Sequence, residues 1–332
     1  MNSLVNCFLD STKRIKVLTI LSLFIGFTAC EDVLEEDITN DRIDLVSPLD
    51  GDTIVGNNVQ FIWNSLEGAD MYNVQVYQGG TVVVDSVVAN APLSLVLISD
   101  DYMWRVKGEN FAYETAFTFP QEFSVEASND LSTQSVELLS PSDDFYTNST
   151  PIIFNWTAIE FATHYEFILL KITASGASII YESEPLTDTS LSLDATVLTE
   201  DAVYEWEVIA VNTDNETQTI VSSRTFSIDT VAPSVPSLLT PAFEQEFELD
   251  ESIAFTWNFA TDTGAVVSTV TSVYEIATDD AFTNVVFNGQ TETTSVTQAF
   301  STAGTYFWRV RGEDLAGNVG GYNLNGKFIV NE

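Results

Sequence analysis

The chain has 332 residues, enough for two or three domains, and 45% hydrophobic with 12% aromatic residues excludes wholesale disorder. Its 49 acids against 11 bases leave a formal charge of −38, which repels phosphate backbones and excludes nucleic acid as a partner. With Cys7 and Cys30 as the only cysteines, neither a disulfide framework nor a cysteine-rich metal site is available.

Lys13, Arg14 and Lys16 precede the apolar run VLTILSLFIGF, Val17 to Phe27, which ends in the small residues Thr28 and Ala29. This is the plan of a secretory signal peptide. The run is too short for a lasting transmembrane helix, which needs about 20 residues. The ending at Ala29-Cys30 resembles the lipobox of bacterial lipoproteins, with Phe27 where that family usually has Leu. The resemblance implies removal of residues 1–29, Cys7 among them, and lipidation of Cys30. A simple cleaved signal stays open as an alternative. Six of the eleven residues from Glu31 to Asp41 are acidic. Such a run resembles the export signal behind the lipidated cysteine of surface-exposed lipoproteins of the Bacteroidota. It reads equally as a charged tether, residues 30–42, extended by self-repulsion.

The remainder is threefold. DLVSPLDG around Pro48, ELLSPSDD around Pro141 and SLLTPAFE around Pro241 open three segments spaced by 93 and 100 residues, a period that suits sandwich domains rather than solenoid repeats. Each then has an alternating strand closing on tryptophan, VQFIW to Trp63, IIFNW to Trp156 and IAFTW to Trp257. A second signature strand follows: YMWRVKG from Tyr102, YEWEVIA from Tyr204 and YFWRVRG from Tyr306. Side-chain alternation puts the two tryptophans of every repeat on inward faces, so all six are read as core rather than as sugar-stacking platforms. Short closing strands lie near Phe123, Phe226 and Phe328, with further β-like runs between, and no stretch after the leader keeps a helical period.

A strand ending in Trp followed by Tyr-x-aromatic-x-Val-x-Ala/Gly resembles the fibronectin type III domain. The resemblance implies a tyrosine corner at Tyr102, Tyr204 and Tyr306, and no activity, because that fold serves spacing and recognition. The expected architecture is all-β: three tandem fibronectin-III/immunoglobulin-like antiparallel β-sandwiches, residues 43–127, 135–229 and 236–332, after a signal peptide and an acidic tether. The linkers SNDLSTQ and TVAPSVP are short, and prolines stiffen the second.

No catalytic residue is assigned. His164 is the sole histidine, without a GxSxG elbow or a free thiol beside it, which leaves no set for nucleophilic catalysis or a His-based zinc site. Acid pairs suited to glycoside hydrolysis are uninformative among 49 acids. No metal or cofactor is assigned either, although calcium stays open as a ligand of Asp229 and of the loop EDLAGN from Glu313, at a domain junction without EF-hand spacing. Candidate binding residues are those the core does not explain: Phe111 and Tyr113 in GENFAYETAF, and Val266 and Val267 in a loop of repeat 3. There Trp257 to Tyr274 spans 17 residues, against 9 for Trp63 to Tyr72 and for Trp156 to Tyr165. Local loop packing is the plainer reading of both. Arg105, Lys107, Arg309 and Arg311 point outward on the signature strands of repeats 1 and 3, where repeat 2 has Glu205 and Glu207. They are read as cross-strand partners of acids; the alternative is a docking face that repeat 2 lacks. The expected function is a non-catalytic outer-membrane lipoprotein at the cell surface, a modular spacer or recognition arm whose partners are the membrane, through its lipid, and a glycan or an envelope protein. The rivals are a glycan-binding component of a polysaccharide-uptake system and an adhesin or scaffold of an envelope complex.

Overall fold

The computed structural model describes residues 35–323 and 326–332, so Cys30 and the leader lie outside the described residues. Among the described residues no α-helix is present, and hence none long and apolar enough to cross a membrane. Alternating burial along the strands makes two-layered sheets the way to hide the apolar faces.

The first sandwich consists of β1 (Leu45–Ser47), β2 (Asp52–Val55), β3 (Asn58–Trp63), β4 (Met71–Gln78), β5 (Thr81–Val88), β6 (Leu93–Val96), β7 (Asp100–Glu109) and β8 (Gln121–Glu126). One sheet has the order β1-β3-β6 and the other β2-β8-β7-β4-β5. The opening strand is split between them: β1 pairs antiparallel with β3, and β2 crosses over to run parallel to β8. Pro48 lacks the N–H needed to continue the first ladder, and Gly51, at φ +82°, makes the turn that changes sheets.

The second sandwich repeats the plan with β9 (Leu138–Ser140), β10 (Phe145–Thr147), β11 (Ile152–Trp156), β12 (His164–Thr173), β13 (Gly176–Glu182), β14 (Ser190–Leu193), β15 (Ala202–Asn212), β16 (Thr217–Gln218) and β17 (Ser222–Ile228). Its sheets run β14-β11-β9 and β10-β17-β15-β12-β13, with β16 on β15. The third has β18 (Leu238–Thr240), β19 (Gln245–Glu248), β20 (Ile253–Trp257), β21 (Thr271–Ala277), β22 (Val285–Thr291), β23 (Ser295–Gln298), β24 (Gly304–Glu313) and β25 (Gly326–Asn331), in sheets β18-β20-β23 and β19-β25-β24-β21-β22. The parallel crossover recurs as β10 with β17 and β19 with β25. The protein is therefore an all-β tandem of three fibronectin-III-like sandwiches.

All six tryptophans are buried, none more than 3% exposed. Each such side chain removes enough apolar surface to favour folding by roughly 4–6 kcal/mol before entropy is counted. The same steeply inclined pair sits in every core: Phe61 with Trp104, Phe154 with Trp206 and Phe255 with Trp308, at centroid distances of 5.1, 5.1 and 5.2 Å. The tyrosine corner is formed three times over. Tyr102 donates to the Ile98 carbonyl at 3.0 Å, Tyr204 to that of Glu200 at 2.7 Å, and Tyr306 to that of Thr302 at 2.8 Å.

The outward bases are engaged within their own modules. Arg309 donates to Glu275, directly opposite on β21, at 2.7 Å, and lies between the rings of Phe282 and Tyr322 at 4.0 and 3.9 Å. Lys107 pairs with Glu109 at 3.0 Å and with Glu114. Arg105 departs from the expected pairing with an acid. Its cross-strand neighbour is Gln75, whose amide oxygen accepts from its Nε at 3.0 Å, and its guanidinium lies 4.1 Å from the centroid of Phe117. Arg311 lies over the Tyr322 ring at 4.9 Å. Aromatic faces from loops thus supply much of what the acids were expected to supply.

Candidate functional site

In each sandwich the loop after the signature strand and the loop after the first Trp strand lie at the pole that receives the preceding segment. Eight residues past the corner tyrosine, at the root of the former loop, stand Asn110, Asn212 and Asp314. Asn110 donates its amide to the carbonyls of Glu36 at 2.9 Å and Gly68 at 2.8 Å. Asn212 donates to the carbonyl of Asn129 in the first linker at 3.0 Å. Each amide therefore fastens its module to the chain before it.

This fastening reaches into the expected tether. Ile38 is fully buried, its side chain within reach of Gly68, where a Cβ would meet Ile38 Cγ2 at 3.0 Å. From Glu36 on, the acidic stretch is docked against the first sandwich rather than extended; one isoleucine among the acids supplies the apolar contact.

The third module differs. Asp314 has no amide to donate, and Asn318 takes over the fastening, its Nδ2 donating to the Asp229 carbonyl at 2.8 Å and to Asp314 Oδ2 at 2.9 Å. The long loop of this module folds over the second linker. Ser234 and Thr261 are linked twice, Ser234 N–H to the Thr261 carbonyl at 2.9 Å and Thr261 N–H to Ser234 Oγ at 2.7 Å. Close packing leaves no room for side chains at Gly312 or Gly320: a Cβ on Gly312 would lie 2.6 Å from Ala260 Cβ, and one on Gly320 2.6 Å from the Pro233 carbonyl oxygen.

That loop carries Asp262 to the junction. Asp229 at the end of the second sandwich, Asp262 and Asp314 offer carboxylate oxygens that all lie within 4.8 Å of one another. They are 0%, 7% and 6% exposed. Asp229 accepts the Val231 N–H at 2.9 Å through Oδ1, Asp262 accepts the Ser268 N–H at 2.6 Å through Oδ2, and Asp314 accepts the Asn318 N–H at 2.8 Å. Asp229 Oδ2 and Asp262 Oδ1 are buried without any partner. Burial, and next the charges of Asp262 and Asp314, push the Asp229 carboxyl above the usual carboxylate range. Two unit charges 4.8 Å apart repel by about 3.5 kcal/mol at an effective dielectric of about 20. Among the described residues this is the one grouping of acids, histidines or cysteines that converges in this way.

The residues singled out from sequence are distributed unevenly. Phe111 is 93% exposed and Tyr113 39%, both on the loop that Asn110 braces by accepting the Ala112 and Tyr113 N–H groups. Val266 is buried, 4% exposed, in the loop that covers the linker, so that only Val267 of that pair, at 61%, meets solvent. His164 opens β12, with Glu166 3.8 Å from its Nε2 and Thr163 Oγ1 3.3 Å from its Nδ1. Of the two stretches considered for calcium, Asp229 and Asp314 meet, while Glu313 stays on the strand opposite Thr271. Asp262 was not singled out; an acid within the eight extra residues was its only sequence signal. Phe119, 85% exposed, was missed as well.

No protein-family model matches the chain. Exoglucanase B of Cellulomonas fimi is 34% identical over 146 residues, which are 43% of this chain and 12% of that enzyme, so the likeness spans a small part of the relative. Among solved structures, the FN1–FN3 domains of chicken CNTN1 are similar at 14% identity and a TM-score of 0.38, covering 88% of this chain and 98% of that one. The fibronectin(III)-like modules of Clostridium thermocellum CbhA are similar at 14% identity and a TM-score of 0.22, covering 57% and 94%.

Proposed function

We propose that the protein is a non-catalytic arm, held by lipid on Cys30 at the outer membrane of a Bacteroidota-type cell and facing outward, whose three sandwiches carry a recognition surface away from the bilayer. The observation that supports this most is the docking of every module onto the segment before it, through Asn110, Asn212 and Asn318. A chain of small domains built for flexible tethering has no need of such fastenings; a spacer does. The apolar run ending at Ala29-Cys30 and the acids behind it support the anchoring. Several acyl chains on one cysteine hold a protein firmly, whereas one binds reversibly.

The test is metabolic labelling with a fatty-acid probe, together with protease treatment of intact cells. Cys30→Ala is expected to abolish label and release the protein from membranes, and the wild-type arm is expected to be digested on whole cells. Label surviving in Cys30→Ala removes the anchor from the reading, and full protection from protease removes the outward face.

A second reading, capture of a glycan for uptake, is favoured by the near-complete exposure of Phe111 and Phe119 on the first module, aromatic faces on which a sugar ring can stack. The exoglucanase likeness points to the same substrate class. Retention on insoluble polysaccharide, lost in the double variant Phe111→Ser/Phe119→Ser, supports it; passage of the wild-type protein without retention refutes it. A discrete crosslinked protein on intact cells favours an adhesin or scaffold instead.

A further inference from the structure

We propose that Asp229, Asp262 and Asp314 bind a hard divalent cation, calcium in the first instance, which rivets the third sandwich to the second. The inference holds whether or not the chain is anchored at a cell surface. It starts from the substitution of an acceptor for a donor. At the same position the first two modules use the amides of Asn110 and Asn212 to hold the preceding segment, and the third has Asp314, beside two further buried carboxylates from the linker side and the long loop.

Three carboxylates within 4.8 Å, with Asp229 Oδ2 and Asp262 Oδ1 buried and unpartnered, make a pocket of negative oxygens that lacks the donors to satisfy them. A cation supplies what the donors do not. The donor set is oxygen only, which selects a hard ion and disfavours zinc. Calcium accepts six to eight oxygens in irregular arrangements, including backbone carbonyls, whereas magnesium demands a near-octahedral set and keeps several waters. The three carboxylates are almost wholly buried, a setting that favours an ion taking its oxygens from the protein over one that keeps several waters.

The three ligands come from three separate places: the end of β17, the loop before β21 and the loop after β24. An ion held by all three ties the linker and both loops together, so occupancy stiffens the joint between the second and third modules. The first joint, built on Asn212, stays indifferent to calcium. One chain thereby carries one ion-dependent joint and one ion-independent joint.

The experiment is calorimetric titration of the detergent-solubilised full-length chain, stripped with chelator, against calcium and separately against magnesium, with thermal melts alongside. The key variant is Asp314→Asn, which carries the residue type of the other two modules at that position and gives up one of the two hydrogen bonds that Asp314 accepts from Asn318; its circular dichroism without calcium checks that the joint still folds. Asp280→Asn, an exposed acid of the same module, controls for loose binding to the acidic surface. One saturable calcium site is expected, weaker by about tenfold or more in Asp314→Asn and unchanged in Asp280→Asn, with a calcium-dependent rise in melting temperature that Asp314→Asn loses. Absence of saturable calcium uptake overturns the proposal. So does uptake that Asp314→Asn leaves unchanged, or an Asp314→Asn protein that melts higher than wild type with calcium and without it, because the cluster is then only a store of repulsion.

Discussion

Replacing Asn212 by Asp reproduces, at the first joint, the exchange that the third module carries naturally. Asn212 is 4% exposed; its Nδ2 donates to the Asn129 carbonyl at 3.0 Å and its Oδ1 accepts the Asp214 N–H at 3.1 Å. The aspartate keeps the second bond, loses the first and buries a charge facing a carbonyl. The Asn129 carbonyl is not orphaned, because Asn215 Nδ2 still donates to it at 2.7 Å, so the cost falls on the new carboxylate. A lost hydrogen bond of about 1 kcal/mol and a further 1–3 kcal/mol for the poorly solvated charge bring the total to about 2–4 kcal/mol. At 1.4 kcal/mol per decade, the linker should open roughly 30- to 700-fold more often. Hydrogen exchange read by mass spectrometry on the linker peptide measures this directly, since the Leu131 N–H in it donates to Thr217 Oγ1 at 3.0 Å. The core strand β12 serves as the internal reference. Linker exchange within about threefold of wild type, with β12 unchanged, refutes the idea that the amide holds the joint.

Tyr102→Phe, Tyr204→Phe and Tyr306→Phe should each cost about 1 kcal/mol in urea unfolding followed by tryptophan fluorescence, because each removes one hydrogen bond and little volume; a corner whose loss costs nothing contradicts its role. Burial, and next the charge of Glu205, raise the Glu207 carboxyl above its unfolded value, so the fold penalises its ionised form. That penalty is absent below the unfolded pKa of about 4.3 and complete above the folded one. Glu207→Gln should therefore stabilise the protein at neutral pH, with the advantage vanishing as the pH falls below about 4 in parallel melts; an advantage that persists there refutes the sign. Phe111→Ser should leave stability within about 0.5 kcal/mol of wild type, since the ring meets solvent on nearly all sides, and a larger loss in the same unfolding assay would mean that it packs after all.

The repeat itself was readable because it is local. Trp63, Trp156 and Trp257 close alternating strands, and Tyr102, Tyr204 and Tyr306 open others, so period-two patterning alone placed the two tryptophans of every repeat inward. The joints were hidden because their contacts are not local. Val266 reads as a surplus apolar residue in a long loop, yet it is buried because that loop folds over a linker some thirty residues earlier, tied to it through Thr261 and Ser234. Arg309 meets the expected acid, Glu275, and Arg105 does not; the aromatic covers of both, Phe282 and Phe117, come from loops whose course no strand period dictates. Ile38 was lost among acids, although a single isoleucine was enough to dock them. The register Asn110, Asn212, Asp314 was present in the sequence, eight residues past each corner tyrosine. Its meaning depended on what the amides reach, and that required the preceding segment to be placed.

Consecutive modules are fastened rather than strung, each held to the segment before it by a side-chain amide. Spin labels at Thr81→Cys on β5 and Ser178→Cys on β13, both exposed, in a Cys7→Ser/Cys30→Ser background, report the distance between the first two sandwiches by electron–electron double resonance. A single narrow distance distribution, broadened by Asn212→Asp, is the predicted result. A broad distribution in the otherwise unaltered chain, indifferent to Asn212→Asp, would contradict it.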